Sequence, residues 1–431
     1  MKTSKTNLRM WLLVSLLMAG VSLFAAPIAE EEPIDTTKYK AYYGTVSDAK
    51  TGRSLPFATI EAMGSNVATV SNIDGNFTIK IAKDAKISGL KVSYVGYKNK
   101  NVALSDFQGG ESAVAIQLNP SPIKLAEVTI RPQDAINLIQ KVLINVRENY
   151  SEEPMMMRGF YRETIQRGRN YVSISEAVID IYKGGYTNQY QVDQVKLFKG
   201  RKSADVEKMD TVLFKVQGGP NTTILMDVVK NPYILLSEEF SEIYSFHLND
   251  VITIDDRLHY VVGFRQNEYV DDPFYKGRLY IDMDKLAISE AEFELNVENQ
   301  EEAARMFIQR KPMSMSIIPE KAVYRAKYTI AENRWYFSYA RAEVKFKVNW
   351  RKKVFNTTYT TMSELAVTDR TYEGIEKFAG KERFKSNDVM NEKVYIFFDA
   401  GFWEGYNVIE PDQSIETAIK RLNRKYLRRN S

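Results

Sequence analysis

The octapeptide RAEVKFKV sets Arg341, Glu343, Lys345 and Lys347 on one side of an extended chain and Ala342, Val344, Phe346 and Val348 on the other. A period of two excludes a helix there, because a helix would scatter the charges around its circumference. The same two-sided writing returns in FYRETIQ, YVSISEAVIDIY, HYVVGFRQ, GRLYID, AISEAEFELNV and AVYRAKYTI. Residues 157–362 therefore read as one large antiparallel sheet, interrupted by a helix around Glu301 to Arg310. Glu290, Glu292 and Glu294 alternate with Ala291, Phe293 and Leu295, the pattern of a sheet face turned to water.

Upstream, residues 42–118 are a succession of short strand-like runs: YYGTVSD, PFATIEA, VATVSN, NFTIKI, LKVSYVGYK and SAVAIQL. Turn residues at Thr51-Gly52, Asp74-Gly75 and Gly109-Gly110 separate them, as in a sandwich of about seven strands. Asp74-Gly75 reads as a hairpin turn. An EF-hand loop would need oxygen ligands at alternate positions over roughly twelve residues and a closing Glu. The order Gly44, the Asp48 to Gly52 turn, Leu55-Pro56, Ala58, Asp74-Gly75 with Phe77, and Val95-Gly96-Tyr97 resembles the carboxypeptidase regulatory-like domain. That resemblance implies a transthyretin-like β-sandwich in an exported protein of a Gram-negative bacterium, and no peptidase chemistry.

Prolines 120, 122 and 132 mark a linker over 120–134, and a helix follows from Ala135 to Asn149 with Ile136, Ile139, Leu143 and Val146 as its apolar stripe. The β-rich domain spans 135–370 and a C-terminal extension 371–431. Within it, HYVVGFRQNEYVDDPFYKGRLYIDMDKLAISEAEFEL resembles exported proteins with a curved, half-open sheet, such as periplasmic lipoprotein carriers. The whole region from Ala135 onward is similar to exported proteins of unknown function that carry a regulatory-like sandwich. The expected fold class is mainly β: the sandwich at 41–119 plus a larger curved antiparallel sheet with a few helices, a carrier-like half-barrel. At 431 residues two or three domains fit, at about 100 to 200 residues each.

Lys2, Lys5 and Arg9 precede an apolar run from Met10 to Ala26, and acids follow at Glu30 to Glu32. This is the layout of a signal peptide over residues 1–26. No cysteine exists anywhere, which removes disulfides, thiolate chemistry and a lipoprotein anchor together. The expected address is therefore the periplasm or outer membrane. Without the leader's three cations, the 59 basic residues fall to 56 against 55 acidic ones, so nucleic acid is not an expected partner.

The two histidines, His247 and His259, open no zinc motif, and no Gly-x-Ser-x-Gly elbow nominates a nucleophile. Both are expected to be structural. Gly218-Gly219-Pro220 lacks a Gly-Lys-Ser/Thr ending and reads as a loop that opens no amphipathic helix. No catalytic, cofactor-binding or metal residue is expected. The first functional reading is a non-enzymatic envelope module for binding or scaffolding, its partner a protein, a glycan or a lipid. Three alternatives stand beside it: a carrier of an apolar ligand such as a lipid or lipoprotein acyl chain, a carboxylate hydrolase, and a small outer-membrane barrel. Ser414 is expected to start a C-terminal helix whose tail (Lys420, Arg421, Arg424, Lys425, Arg428, Arg429) reaches the outer membrane peripherally.

Overall fold

The computed structural model describes residues 38–107, 112–121, 134–188, 190–204, 218–236, 240–307, 315–350, 356–396, 402–403 and 405–430. All of them belong to one compact unit. The expected leader at 1–26 and most of the expected linker, 122–133, lie outside the described residues.

Seven strands build the sandwich: β1 (Tyr39–Asp48), β2 (Thr59–Ala62), β3 (Ala68–Val70), β4 (Asn76–Ala82), β5 (Leu90–Ser93), β6 (Lys100–Val102) and β7 (Val114–Leu118). One sheet has the order β4-β1-β7 and the other β3-β2-β5-β6. Their inner faces meet through Val46, Ile60, Phe77, Ile79, Val92 and Ile116. Asp74-Gly75 is a turn, with Gly75 at φ 83° and the Asn72 side chain accepting the Asp74 and Asn76 N–H groups. Asp74 has a second task that its motif does not reveal. Its carboxylate accepts the N–H of Gln413, more than three hundred residues on.

The large sheet contains β8 (Met155–Arg167), β9 (Asn170–Lys183), β10 (Gln194–Ala204), β11 (Tyr244–Ile254), β12 (Arg257–Gln266), β13 (Tyr275–Asp282), β14 (Ile288–Leu295), β15 (Met315–Ala331), β16 (Arg334–Trp350), β17 (Thr357–Thr371) and β18 (Tyr395–Ile396). Their order is β11-β12-β13-β14-β15-β16-β17-β8-β9-β10-β18, antiparallel except at the short β10–β18 pair. A meander of seven strands is thus extended by the earlier β8–β10 unit, and the curved sheet does not close.

Helices α1 (Asp134–Ile144), α2 (Val146–Asn149), α3 (Pro220–Leu225), α4 (Phe240–Ile243), α5 (Gln300–Phe307), α6 (Met390–Lys393) and α7 (Gln413–Asn430), with 3-10 turns at Leu104–Asp106 and Pro232–Ile234, complete the described elements. The expected helix over 135–149 breaks at Asn145, and its buried stripe is Ala135, Leu138, Ile139 and Val142, so Ile136 is left exposed. Both stripes have helical spacing, and Leu143 and Val146 of the expected one also pack, partly buried, against the main core. Gly218-Gly219-Pro220 does open a helix, the short α3, with Pro220 at its first turn where its missing N–H costs nothing. Asp412, not Ser414, caps α7, because its carboxylate accepts the Ile415 N–H at 2.8 Å.

One face of the large sheet forms the main core with α1. The other lies under the sandwich. Lys91 pairs with Asp255 at 3.0 Å, Asn99 donates to Asp255 at 2.6 Å, Lys327 donates to the Phe57 carbonyl at 2.7 Å, and Lys80 donates to the Trp403 carbonyl at 2.7 Å. Trp403, Val408 and Ile409 fill the join together with Val70 and Phe160.

Candidate functional site

Eight strands of the large sheet each contribute one charged residue to a single transverse row on the face covered by the sandwich. From β13 to β10 the row reads Arg278, Glu292, Arg325, Arg341, Glu364, Arg162, Glu176, Arg201, every neighbour in register. Ion pairs follow the row: Arg278–Glu292 at 3.1 Å, Arg325–Glu292, Arg341–Glu364 at 3.2 Å, Arg162–Glu364 at 3.2 Å, Arg162–Glu176 at 2.8 Å and Arg201–Glu176 at 2.9 Å. Arg162 is 1% exposed, and its guanidinium also donates to the Ile409 carbonyl at 2.7 Å. Burial alone would raise the Glu176 carboxyl, but Arg162 and Arg201 together hold it below the usual range. His247 lies beyond the row's β13 end, opposite Gly263 on the exposed edge strand. His259 is buried against Trp335, its Nδ1 2.9 Å from the Arg257 carbonyl, and burial lowers its pKa.

The row has one step without a glutamate, Arg325 beside Arg341. Phe57 of the sandwich sits there. Its ring lies 5.7 Å from the Arg325 guanidinium and 5.1 Å from that of Arg341, and it stacks on Tyr339 at 5.7 Å. The residue holds φ at 62°, a conformation L side chains rarely adopt, and its own N–H and C=O are bonded to Ser71 and Lys327. Such strain persists only where surrounding contacts enforce it. Phe57→Ala is expected to cost about 2 kcal/mol in urea unfolding, while Phe57→Tyr, which keeps the ring over both arginines, stays within about 1 kcal/mol of the parent.

Two cavities flank Phe57. The larger, about 430 Å³, is a groove between two cross-strand rows, Arg278–Glu292–Arg325–Arg341 and Lys276–Glu294–Val323–Glu343. Gly277 lies in its floor with Phe293 and Tyr324, and a Cβ on Gly277 would collide with the Glu292 carbonyl. The smaller, about 260 Å³, lies toward Arg162, Thr164, Ile409 and Asp412. The expected water-facing strand at Glu290 to Glu294 is corrected here: Glu290 is buried, and Glu292 is half-buried. Arginines on β13 and β15 and the overlying sandwich cover that face. Burial pushes the Glu290 carboxyl up; Arg325, Tyr280 and Arg278 outweigh burial at Glu292 and hold it down. Glu290 borders a separate space of about 30 Å³, whereas Glu292 borders the 430 Å³ groove together with Glu294 and Glu343. Among the described residues, no group of three His, Cys, Asp or Glu side chains could hold a metal ion.

The sandwich topology and its turn motifs agree with a family match over residues 42–130, described as a CarboxypepD_reg-like domain. Residues 42–130 are a CarboxypepD_reg-like domain. The CarboxypepD_reg-like domain therefore supplies Phe57 to the ladder, and the sheet supplies the ladder itself. No curated protein matches the chain. Among solved structures, a putative outer membrane lipoprotein-sorting protein domain from Vibrio parahaemolyticus aligns at 8% identity and TM-score 0.25, covering 57% of this chain and 96% of its own. A DUF1329 family protein from Desulfovibrio piger aligns at 11% identity and TM-score 0.24, covering 58% and 96%. A LolA superfamily protein from Nitrosomonas europaea aligns at 11% identity and TM-score 0.19, covering 58% and 99%. Likenesses of this strength say nothing of what the chain binds. No helix among the described residues is long and apolar enough to cross a membrane.

Proposed function

We propose that this chain is an exported, non-enzymatic carrier of the cell envelope that holds an anionic amphiphile in the groove beside Phe57. The observation that supports the reading is the like-charge step. Arg325 and Arg341 stand side by side at the groove, whose walls combine their aliphatic stems with Phe57 and Val323. Guanidinium donors favour an anionic oxygen group, and the apolar wall favours the hydrocarbon attached to it. At about 430 Å³ the groove suits a head group with the first part of an acyl chain, since small-ligand sites run from about 300 to 1,000 Å³. The non-enzymatic part of the reading is supported by the engagement of the groove's glutamates in ion pairs, Glu292 with Arg278 and Arg325, Glu294 with Lys276, and Glu343 with Arg341. Export is supported by the leader pattern and the lack of cysteine. A scaffold with no small ligand is the second reading, favoured by the many polar contacts that fasten the sandwich to the sheet.

Calorimetric titration of the mature chain with lysophosphatidylglycerol below its micelle concentration tests the carrier. Binding is expected, stronger than for lysophosphatidylcholine, and Val323→Trp, which fills the groove from a half-buried position, is expected to abolish it. Equal heats for both lipids, or undiminished binding by the tryptophan variant, would remove the groove from the account.

A further inference from the structure

Helix α7 docks by Ile415, Ala418 and Leu422 against Ile174 and Tyr171. After Glu416 it carries no acid, yet it holds Lys420, Arg421, Arg424, Lys425, Arg428 and Arg429. Glu416 balances Lys420 one turn later, but Arg424 and Arg428 follow at i+4 and i+8 with no acid three or four positions away on the helix, a repulsive arrangement. The helix dipole favours cations only in the last turn, which does not account for Arg421 or Arg424. Arg421 also donates to the Asn170 side chain at 2.9 Å and the Tyr171 carbonyl at 2.8 Å. These bonds bring the β8–β9 hairpin tip, with Arg167 and Arg169, beside the helix. On the outer side, Leu427 is 55% exposed among these charges. In a chain otherwise close to charge balance, positive charge is concentrated on this short segment.

We propose that α7 and the neighbouring hairpin tip form a peripheral docking surface for an anionic phospholipid bilayer, with the cations among the head groups and Leu427 at the acyl boundary. A lipid surface fits better than an acidic protein groove, because the patch is convex along one helix and offers a single apolar contact. The proposal does not depend on the groove beside Phe57.

The test is co-sedimentation of the full mature chain with vesicles of phosphatidylglycerol and phosphatidylethanolamine, against vesicles of phosphatidylcholine. Binding is expected only to the anionic vesicles and is expected to weaken as salt rises. Arg424→Gln with Arg428→Gln, both exposed, is expected to weaken it about 25-fold, at roughly fivefold for each cation lost. Unchanged circular dichroism would show that the helix remains folded. Val323→Trp is expected to bind vesicles as the parent does. Equal sedimentation with neutral vesicles, undiminished binding by the double variant, or loss of binding in Val323→Trp alone would overturn the proposal.

Discussion

Replacing Arg162 with alanine is expected to lower the unfolding free energy by about 3–5 kcal/mol, the usual cost of stripping one member from a buried ion-pair network. Arg162 is the sole described link between Glu176 and Glu364, both 2% exposed, and its removal leaves each carboxylate in a dry interior with a single arginine, Arg201 or Arg341. It also releases the Ile409 carbonyl, so the segment that seals the sandwich against the sheet loses its fastening. The matching change at the open end of the row, Arg278→Ala, is expected to cost less than about 1 kcal/mol, because that side chain is 55% exposed and its pair with Glu292 is screened by water. Urea melts of the two variants decide the matter. Equal losses at both positions would mean that the ladder is not a buried network.

The second large effect lies on the opposite face of β8. Glu163 is fully enclosed, accepts the Tyr161 hydroxyl at 2.9 Å, and is pushed up to about 8 by burial, which that bond and the Asn391 N–H offset only in part. Below about pH 4.5 the carboxyl is protonated in both folded and unfolded chains and brings no penalty. Between there and pH 8 the unfolded chain ionises while the folded one holds its proton, so stability falls as pH rises. Above the folded pKa the loss is complete, about 3–5 kcal/mol. Glu163→Gln keeps an oxygen for both donors and carries no charge. It is expected to match the parent near pH 4.5 and to exceed it by several kcal/mol near pH 9. Parallel stability profiles across that range would refute the assignment.

Much of the architecture was legible because alternation is a local property. RAEVKFKV could only be a strand, and the Thr51-Gly52 and Asp74-Gly75 turns punctuated the sandwich, while Gly109-Gly110 lies outside the described residues. The ladder was not legible, because register between strands is not written in any one segment. Each strand offers one Arg or Glu on a face that, taken alone, looks wet; Glu292 acquires its meaning only when Arg278 and Arg325 are set opposite it. One signal was available. Five of the eight positions are arginine and none is lysine, in a chain rich in lysine on its exposed strands. Arginine is the cation suited to buried, multiply bonded pairs. The position of Phe57 had no comparable signal, since its positive φ follows from contacts with residues some 280 positions away.

The central claim is that the groove beside Phe57 is occupied in the envelope. Native mass spectrometry of the mature protein, purified from envelope extract without denaturation, tests it most directly. The account predicts a stoichiometric adduct with the mass of an anionic lipid, lost in Val323→Trp. A bare polypeptide, or one seen only in complex with another protein, would contradict the carrier and leave the scaffold reading in its place.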